Sequence, residues 1–457
     1  MTECTTNAVP FSSLGRRKID ADFSGGQITS DAGALLLREA DKQLGLIDAL
    51  DAAIPDPRNP ALITHSQREL LAQRIFALAA GCEDLNDHQH LRDDPLWQLA
   101  TEHREVEGDA TLASPPTLCR LENRITRASL VRIANVLVDQ FLAAHTTPPE
   151  EVVLDFDATD DPVHGHQEHR FFHGYYDSYC FLPLDVFAGD HLLCAYLRPS
   201  KIDGGKHSRA ILKWLVTRLR EVWPNLQIVV RADSDFCRWR MLRWCDRHDV
   251  KYIVGLARNS RLEEQLAPAQ QQAKDAFLAD RQTHRVFAEF EYQAESWDRV
   301  RRVIGKAEHL PGGDEGKANP RYVVTNLAGE PQHLYEDVYC QGGEAENRIK
   351  KQQLMLFADR TSCHRFVANQ FRVLLAAAYV LVSHVRRVGL AGTDHATATV
   401  QTIRLKLFKV GAWVQRSVRR WVVRMSCGYP WADWFATVAA RLQIARGVQV
   451  VRVAGEL

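Results

Sequence analysis

The first 150 residues carry apolar side chains at the three-to-four-residue spacing of amphipathic helices. The first such stretch follows Ser30 and Asp31, a pair typical of helix starts, and a later stretch stops at Gly81. The helices predicted from this spacing cover residues 32–50, 65–81, 114–124 and 129–145. We therefore predict a helical N-terminal region over residues 1–150.

Runs of β-branched and aromatic residues replace the helical spacing near residue 150. The predicted strands are 150–161, two strands within 181–199, then 227–236 and 250–257, and the predicted helices are 206–223 and 238–249. The order is three strands, then helix, strand, helix and strand. That order is typical of a ribonuclease-H-like core, an α/β fold in which helices flank a mixed sheet. We place the first part of this core at residues 151–259.

The second half of the chain is less regular. Residues 260–335 contain a Gln- and Ala-rich helix and several alternating, strand-like runs, so we predict a β-rich insertion there. The core is expected to resume over 336–390 with a helix from about Glu344 to Phe357. Residues 391–457 have a strong basic bias and are predicted to form a helical C-terminal region.

Composition limits the function classes only loosely. The 457-residue chain is 46% hydrophobic and 25% charged, which excludes extensive disorder, and its net charge of 0 gives no evidence for nucleic acid. The cysteines include no C-x-x-C pair, and the N-terminus lacks a signal-peptide pattern. The longest apolar stretch, near Val373–Val382, is too short to span a bilayer and indicates a core helix. We predict a cytoplasmic protein that does not contact a membrane.

Acidic residues stand where the predicted core would present them together. The candidates are Asp155 and Asp157 on the first strand, Asp233 and Asp235 where a later strand ends, and Glu344 and Glu346 at a helix start. Side chains two apart on a strand share a face, and buried carboxylates without partners are costly, so these pairs indicate a cation site. Oxygen ligands suit Mg²⁺ or Mn²⁺. Helix caps and solvated loop positions remain the alternative explanation for such acids.

Seven sequence blocks, taken in order, carry a family resemblance. They are GGQITSDAGALLLREAD (25–41), GCEDLNDHQHLRDDP (81–95), TLCRLENR (117–124), LDFDATDDPVHGHQE (154–168), FFHGYYDSYCFLPLDVF (171–187), RADSDFCR (231–238) and YCQGGEAENRIKKQQLMLFADRTSCHRF (339–366). Their order and spacing resemble transposases of the insertion sequence 1380 family, within the wider insertion sequence 4 group. The resemblance implies a ribonuclease-H-like fold and Mg²⁺-dependent cleavage and strand transfer of DNA, with Mn²⁺ as a possible substitute.

The resemblance also assigns the three acids. The family's D-x-T motif falls on Asp157 with Thr159, and its second acid falls on Asp233. The third is the Glu of a Tyr-Arg-Glu-Lys type signature, which falls on Glu346 and begins at Tyr339. The resemblance thus implies that Asp157, Asp233 and Glu346 are the catalytic metal ligands, with Asp155 and Glu344 as the next candidates for the first and third positions.

Two signature positions depart from the family pattern. Residue 342 is Gly where the signature has Arg, and residue 353 is Gln where it can carry Lys. In relatives these basic residues are implicated in holding the DNA of the transposon end, and a guanidinium is a strong phosphate ligand that Gly cannot replace. We expect Tyr339 to contact DNA and the basic residues that follow to replace part of the missing phosphate binding. Those residues are Arg348, Lys350 and Lys351.

A basic run near the C-terminus indicates a further phosphate contact. Residues 402–425 contain seven basic side chains, and no acidic residue lies between His395 and Ala432. Such a one-sided run in a neutral protein favours an anionic partner, and we assign Arg416, Arg419 and Arg420 to DNA binding. Trp413 and Trp421, which lie among them, are expected in the core rather than stacked on bases.

Four histidines follow the first acid, at positions 164, 166, 169 and 173. Their spacing fits no standard structural zinc pattern, so we expect a loop that touches DNA or supports the active site.

The predicted partners are the transposon's terminal inverted repeats and target DNA, bound by at least a dimer in the synaptic complex. The N-terminal region 1–150 is a candidate for binding the transposon ends, although a plain helical bundle fits equally well. Two rival functions remain, which are a metal-dependent nuclease with the same core and a catalytically impaired protein that binds transposon ends.

Overall fold

The computed structural model describes residues 9–103, 111–312 and 315–444, without the side chains of residues 345, 346 and 444. This described part forms two compact units. The first, here called the helical unit, comprises the described residues of Met1–Arg124 and Ala377–Gln449. The second, the sheet unit, comprises the residues described within Ile125–Ala376.

The strands of the described ranges are two to ten residues long. In chain order they are β1 (Val9–Pro10), β2 (Asp20–Ala21), β3 (Ile28–Thr29), β4 (Glu151–Ala158), β5 (Asp161–Pro162), β6 (Phe171–His173), β7 (Ser178–Phe181), β8 (Leu184–Ala188), β9 (His191–Tyr196), β10 (Gln227–Ala232), β11 (Lys251–Leu256), β12 (His284–Tyr292), β13 (Arg301–Leu310), β14 (Lys317–Ala318), β15 (Arg321–Thr325), β16 (Ala412–Ser417) and β17 (Arg420–Met425).

The helices are distributed over both units. They are α1 (Ala34–Leu44), α2 (Leu46–Ala53), α3 (Gln67–Ala80), α4 (His88–Leu91), α5 (Pro95–Ala100), α6 (Pro115–Arg124), α7 (Arg127–Ala143), α8 (Ser208–Val222), α9 (Trp239–Arg247), α10 (Ser260–Asp280), α11 (Pro331–His333), α12 (Gly343–Lys350), α13 (Phe366–Leu374), α14 (Ala377–His384), α15 (Val400–Ile403) and α16 (Ala432–Ile444). Short 3₁₀ turns occupy Pro60–Leu62, Ser234–Phe236 and Cys340–Gly342, and π-helical turns occupy Leu334–Tyr339, Lys351–Met355, Val385–Gly389 and Arg404–Phe408.

A large mixed sheet forms the centre of the sheet unit. Its order is β12–β13–β15–β11–β10–β4–β8–β9, with β14 paired to β13. Strand β10 runs parallel to both β4 and β11, whereas β8 is antiparallel to β4 and to β9. Three antiparallel strands followed by two parallel additions give the arrangement expected for a ribonuclease-H-like core, and helices flank this sheet. The predicted fold class is confirmed.

The sheet continues beyond the predicted core. Residues 260–335, predicted as a β-rich insertion, contribute β15, which pairs antiparallel with β11, and then β13 and β12. The physical reason is that β11 would otherwise be an exposed edge of the core sheet. The apolar side chains of Val303, Ile304 and Val323 are fully buried in this extension. The insertion therefore shares one sheet with the core.

Strand β4 shows how side-chain alternation positions the site. Leu154 and Phe156 are buried in an apolar cluster that includes Leu215 of α8 and Leu242 of α9. Helix α8 contributes because its apolar residues recur at helical spacing along one side. Residues 155 and 157 lie on the opposite face of β4, because successive side chains on a strand point to opposite sides. That opposite face carries the acids discussed below.

The helical unit combines both ends of the chain. Helices α14 and α16 contact α1, and α14 also contacts α3, so predicted regions 1–150 and 391–457 contribute to one unit. Helix α7 lies within the predicted N-terminal region but belongs to the sheet unit, because its apolar side joins the core cluster through Val138 and Phe141. The predicted helices of residues 1–150 are otherwise present in the described part.

Residues 412–425 form a β-hairpin, which corrects the prediction of a helical region throughout 391–457. Strand β16 pairs antiparallel with β17 and also with β3. The physical reason is an alternation that buries Ala412 and Val414, together with a β-strand edge provided from the other end of the chain. Helices α15 and α16 keep part of the region helical.

One helical stretch, Phe366–Gly389, is long and apolar enough to cross a membrane by length and composition. Its most apolar window is 89% buried within the protein, as in the core helices of globular proteins. It contains the Val373–Val382 segment, so the prediction that this apolar region is too short to span a bilayer is wrong, whereas its burial fits the expected core helix.

Candidate active site

Two of the predicted acids lie side by side at one edge of the sheet. Parallel strands β4 and β10 pair in register up to Phe156 and Ala232, and Asp157 and Asp233 are the next residue on each strand path. Asp157 is half-buried and Asp233 is exposed. The carboxyl ends of two neighbouring parallel strands therefore present two carboxylates at the same place.

Asp155 is held in a buried ion pair. Its side chain is 2% exposed, and its two oxygens accept hydrogen bonds from Nε and Nη2 of Arg231, the latter at 2.9 Å. Nη1 of Arg348 lies 3.5 Å from Asp155 Oδ2. Two guanidinium groups thus neutralise this carboxylate, and its oxygens are already used by hydrogen bonds. Asp155, the second candidate for the first acid, is therefore engaged by two arginines.

Arg231 also connects β10 to the segment before α12. Its Nη1 donates a hydrogen bond of 2.6 Å to the carbonyl oxygen of Val338. The same guanidinium therefore joins Asp155 on β4 to the π-helical turn that precedes α12. Arg231 is 8% exposed and stands two residues before Asp233 in the chain.

Helix α12 lies against β4 and carries both candidates for the third acid. Glu344 is largely exposed and forms an ion pair of 2.8 Å with Arg348. Glu346 lies in the same helix, and its side chain is outside the described residues. The predicted helix from Glu344 is present, and it continues through a π-helical turn to Met355.

The predicted DNA-binding residues of this segment have different surroundings. Arg348 is 8% exposed and is surrounded by the carboxylates of Asp155, Asp190 and Glu344, so its charge is compensated inside the protein. Lys350 is exposed at the end of α12, and Lys351 is half-buried.

The signature residues before α12 also have defined positions. The phenol of Tyr339 lies beside Gly255, where an added Cβ would come within 2.8 Å of Tyr339 Oη. Burial, and then the charge of Asp233, raise the pKa of Tyr339 to about 12. Gly342 has helical φ and ψ of −58° and −24°, and an added Cβ would be in ordinary contact with the Arg231 side chain, at 3.4 Å from Cδ. The amide of Gln353 donates to the carbonyl oxygen of Asp160 at 3.3 Å.

Asp185 is a site residue that the sequence analysis missed. It is the cross-strand partner of Asp157 on β8 and is 2% exposed. Burial raises its pKa to about 7, and the negative charge of Asp157 acts in the same direction. The side-chain amide of Gln352 lies 3.5 Å from Asp185 Oδ1. An acid in the middle of the apolar run LPLDVF was the sequence signal that could have identified it.

Asp233 combines a capping role with an unfavourable environment for its charge. Its Oδ1 accepts a hydrogen bond of 2.9 Å from the backbone N–H of Asp235 and so begins the 3₁₀ turn Ser234–Phe236. Its pKa is raised by desolvation at the strand end, and the neighbouring Asp235 carboxylate contributes in the same direction.

The donors at this edge fit a divalent cation of the Mg²⁺ class. Asp157, Asp233 and Asp185 offer carboxylate oxygens alone, which are the ligands that Mg²⁺ and Mn²⁺ prefer. Desolvation, and then the charge of a neighbouring acid, raise the pKa of Asp185 and of Asp233, and a bound cation would favour the charged form of both. Asp157 and Asp233, together with an acid from α12, would therefore hold such an ion.

The four histidines after the first acid are spread along β6 and the loop before it. Nη2 of Arg170 lies 3.0 Å from Nδ1 of His166, and the ring of His169 stands edge-on to Phe366 at 5.3 Å. The ring of His173 lies 4.9 Å from that of Tyr176. His164 is exposed.

The three C-terminal arginines assigned to DNA binding meet at the tip of the β16–β17 hairpin. Arg416 and Arg420 belong to its two strands, Arg419 lies in the two-residue turn, and all three are exposed. The guanidinium of Arg416 lies 5.1 Å from the centre of the Trp421 ring. Trp413 and Trp421 are half-buried rather than in the core, so that part of the prediction is wrong. Both tryptophans lie on the two-stranded hairpin opposite arginines, where strand pairing leaves their side chains partly exposed.

Comparison with known proteins was made for sequence and for structure. The family model described as Transposase DDE domain group 1 matches residues 11–446. No curated protein matches this chain in sequence. Among solved structures, the chain is similar to piggyBac transposase in a cryo-EM structure of its synaptic complex with hairpin DNA. That similarity has a TM-score of 0.40 and 9% identity, and covers 83% of this chain and 79% of the other. Because the family model spans nearly the whole sequence, the chain belongs to the family Transposase DDE domain group 1 and is a DNA transposase.

Proposed function

We propose that this transposase cleaves DNA at transposon ends and joins the freed ends to target DNA with a triad of Asp157, Asp233 and Glu346. The observation that carries the proposal is the placement of Asp157 and Asp233 at neighbouring parallel strand ends, with α12 packed against β4. Carboxylates from two strand ends and one helix can share two divalent cations. Mg²⁺ is the expected ion, and Mn²⁺ can replace it.

The neighbouring acids support this choice of triad. Asp155 is neutralised by Arg231 and Arg348, so a metal there would have to break a buried ion pair. Glu344 is paired with Arg348 at the surface. Asp155 and Glu344 therefore both have ion-pair partners, and the choice of Asp157 and Glu346 rests on the resemblance to the insertion sequence 1380 family.

The reaction places separate demands on the residues. When bound, the cations would activate water or a 3′-hydroxyl and neutralise charge on the leaving oxygen of the scissile phosphate. The chain itself has to hold its carboxylates in a fixed geometry, and the Arg231–Asp155 pair braces β4 against β10 for this purpose. Asp185, whose pKa is raised by burial and by the charge of Asp157, adds a third carboxyl group beside these strand ends.

Excision of a marked element tests the proposal. We expect Asp233→Asn to lower excision by about 1000-fold or more, because loss of metal ligation removes several kcal/mol of charge stabilisation. Asp249→Asn is the matched control, since Asp249 is an exposed acid that precedes β11 and has a φ of 47°, which Asn adopts readily. Equal excision by wild type and Asp233→Asn would contradict the mechanism. A strand-transfer assay with precleaved ends then separates a transposase from a nuclease that never joins strands.

A second candidate function is favoured by the changed signature. With Gly342 and Gln353 in place of basic residues, the chain would bind transposon ends but cleave them poorly. In that case gel shifts with end DNA would persist, and Mg²⁺- or Mn²⁺-dependent nicking would be absent in the wild type.

Restoring the signature arginine is expected to strengthen end binding. Gly342→Arg should tighten binding of transposon-end DNA by about tenfold or more, because a charge-assisted hydrogen bond to phosphate contributes about 1.5–3 kcal/mol. The helical backbone at position 342 accepts a side chain without a close contact. Gly343→Arg adds the same charge one residue along, where a Cβ meets open space. Equal tightening by both variants in a gel-shift titration would mean that only net charge matters.

The β16–β17 hairpin is proposed as a phosphate-binding element. Replacing Arg416, Arg419 and Arg420 by Gln is expected to reduce the slope of log K against log salt by about 2.7, or about 0.9 for each phosphate that is no longer neutralised. The control replaces three exposed basic residues elsewhere, Arg209, Lys213 and Arg247, and so matches the change in charge. Binding measured between 50 and 200 mM salt, roughly the range over which such slopes are resolved, checks the result. An equal fall of the slope in the control would contradict a specific role of the hairpin in binding phosphate.

The proposal extends to the assembly on DNA. Joining two ends at one target requires two active sites, so we expect at least a dimer on paired terminal inverted repeats. We expect the reaction to take place in the cytoplasm, and we place the chain in the insertion sequence 1380 family on the motif order described above.

A further inference from the structure

Three side chains of the helical unit converge on one point, and none of them belongs to the unit that carries the strand-end acids. His65 immediately precedes Ser66, the residue that caps α3, and Glu69 lies in the first turn of α3. His103 follows α5 in the chain. The potential ligand atoms of the three side chains all lie within 4.8 Å of one another.

The geometry is centred on one carboxylate oxygen. Nδ1 of His65 is 2.8 Å from Glu69 Oε1, and Nδ1 of His103 is 3.0 Å from the same oxygen. The two imidazole rings are 5.9 Å apart and inclined by 34°. Atoms that share a tetrahedral zinc ion at bonds of about 2.0–2.1 Å stand roughly 3.3 Å from each other. Small movements of these side chains would therefore bring all three into a coordination shell.

Burial leaves His103 without a satisfactory partner. Its side chain is 3% exposed, and among the described residues neither ring nitrogen has a hydrogen-bond partner, although Nδ1 is close to Glu69. The approach of Nδ1 to Oε1 has the distance but not the direction of a hydrogen bond. Buried imidazole nitrogens are nearly always satisfied by a donor, an acceptor or a metal, and an ion between His103 and Glu69 would satisfy this histidine.

We propose that His65, Glu69 and His103 bind a transition-metal ion of the Zn²⁺ class. Two imidazole nitrogens and one carboxylate are a donor set that zinc accepts with water as the fourth ligand, whereas Mg²⁺ prefers oxygen alone. The ion would connect Glu69 in the first turn of α3 to His103, which follows α5. It is a different site from the carboxylates at the strand ends, both in the unit that holds it and in donor chemistry.

Metal binding to the full chain tests the proposal. The measurements use the Asp157→Asn/Asp233→Asn variant, so that the strand-end carboxylates do not contribute, after treatment with a chelator. Titration with Zn²⁺ against a chromophoric chelator is expected to give one ion per chain. His103→Gln and Glu69→Gln should each weaken Zn²⁺ binding by about 100-fold or more, since even the loss of an outer partner of a ligand costs about 10–100-fold. His90→Gln, which alters an exposed histidine of the same unit, should leave binding unchanged.

A second readout keeps the test decisive if a variant folds poorly. Co²⁺ added to the chelator-treated protein should give the visible absorption of a four-coordinate site, and Zn²⁺ should abolish that absorption. Zn²⁺ should also raise the thermal unfolding midpoint, whereas Mg²⁺ at the same concentration should not. Absence of a stoichiometric Zn²⁺ site and of the Co²⁺ spectrum would show that the three residues form only a hydrogen-bonded cluster. Equal binding by His90→Gln and His103→Gln would likewise overturn the proposal.

Discussion

Asp157→Asn is expected to lower excision of a marked element by about 1000-fold or more while changing the free energy of unfolding by less than about 0.5 kcal/mol. The loss of activity follows from its place beside Asp233 at the ends of two parallel strands. The fold should tolerate the change because Asn keeps an acceptor for the backbone N–H of Ala158, which donates to Asp157 Oδ1 at 2.7 Å. Removal of the charge also relieves repulsion with Asp185. Excision assays and urea unfolding measure the two quantities.

The matched control is Asp177→Asn. Asp177 is exposed in a turn with a φ of 49°, a conformation that Asn adopts readily, so activity and stability should both be retained. The assignment of the first acid would be reversed if Asp157→Asn excised normally while a folded Asp155→Asn protein did not.

Asp155→Ala, unlike Asp157→Asn, is expected to destabilise the protein, with a loss of about 3–5 kcal/mol in the free energy of unfolding. The reason is that Arg231 and Arg348, each 8% exposed, would keep their charges in the interior without the carboxylate that compensates them. Urea unfolding of the purified full chain measures the effect directly. Excision should fall by more than the fraction of unfolded protein, because the Arg231–Asp155 pair also holds β4 against β10.

Two further variants distinguish the effect of a buried ion pair on stability from that of an exposed ion pair. Asp203→Ala breaks an exposed ion pair with Arg238 and should cost less than about 1 kcal/mol. Asp155→Leu combined with Arg231→Met removes both charges and should recover part of the stability lost in Asp155→Ala. A loss in Asp155→Ala no larger than that in Asp203→Ala would contradict the structural role given to Asp155.

Much of the sheet was predictable from the sequence because its strands are apolar, β-branched and separated by clear turn residues. The same alternation places Asp155 and Asp157 on one face of β4, and for that reason it cannot distinguish between them. The distinction comes from Arg231, which lies 76 residues away in the chain and hydrogen-bonds to Asp155. Only the pairing of β4 with β10 brings the two together.

The remaining differences also arise from long-range contacts. The basic run ending at Met425 is compatible with a helix by composition, and it becomes a hairpin because β3, from the other end of the chain, pairs with β16. The strands of 260–335 join the core sheet because β11 would otherwise be its unpaired edge, and β15 pairs with it. Asp185 was missed because the acid within the apolar run LPLDVF was not taken as a signal, and its pairing with Asp157 appears only in the sheet.

The hydrogen bonds of Arg231 have a consequence for how such a protein loses activity over generations. The Arg231 guanidinium hydrogen-bonds to Asp155 on β4, the strand of Asp157, and to Val338 in the turn before α12, the helix of Glu346. Arg231 itself lies on β10, the strand that leads to Asp233. Under the proposed triad, a change of Arg231 is therefore expected to disturb the placement of all three acids at once. A copy of the gene that keeps Asp157, Asp233 and Glu346 is expected to be inactive when Arg231 is replaced. Searches for inactive copies should examine this arginine as carefully as the triad.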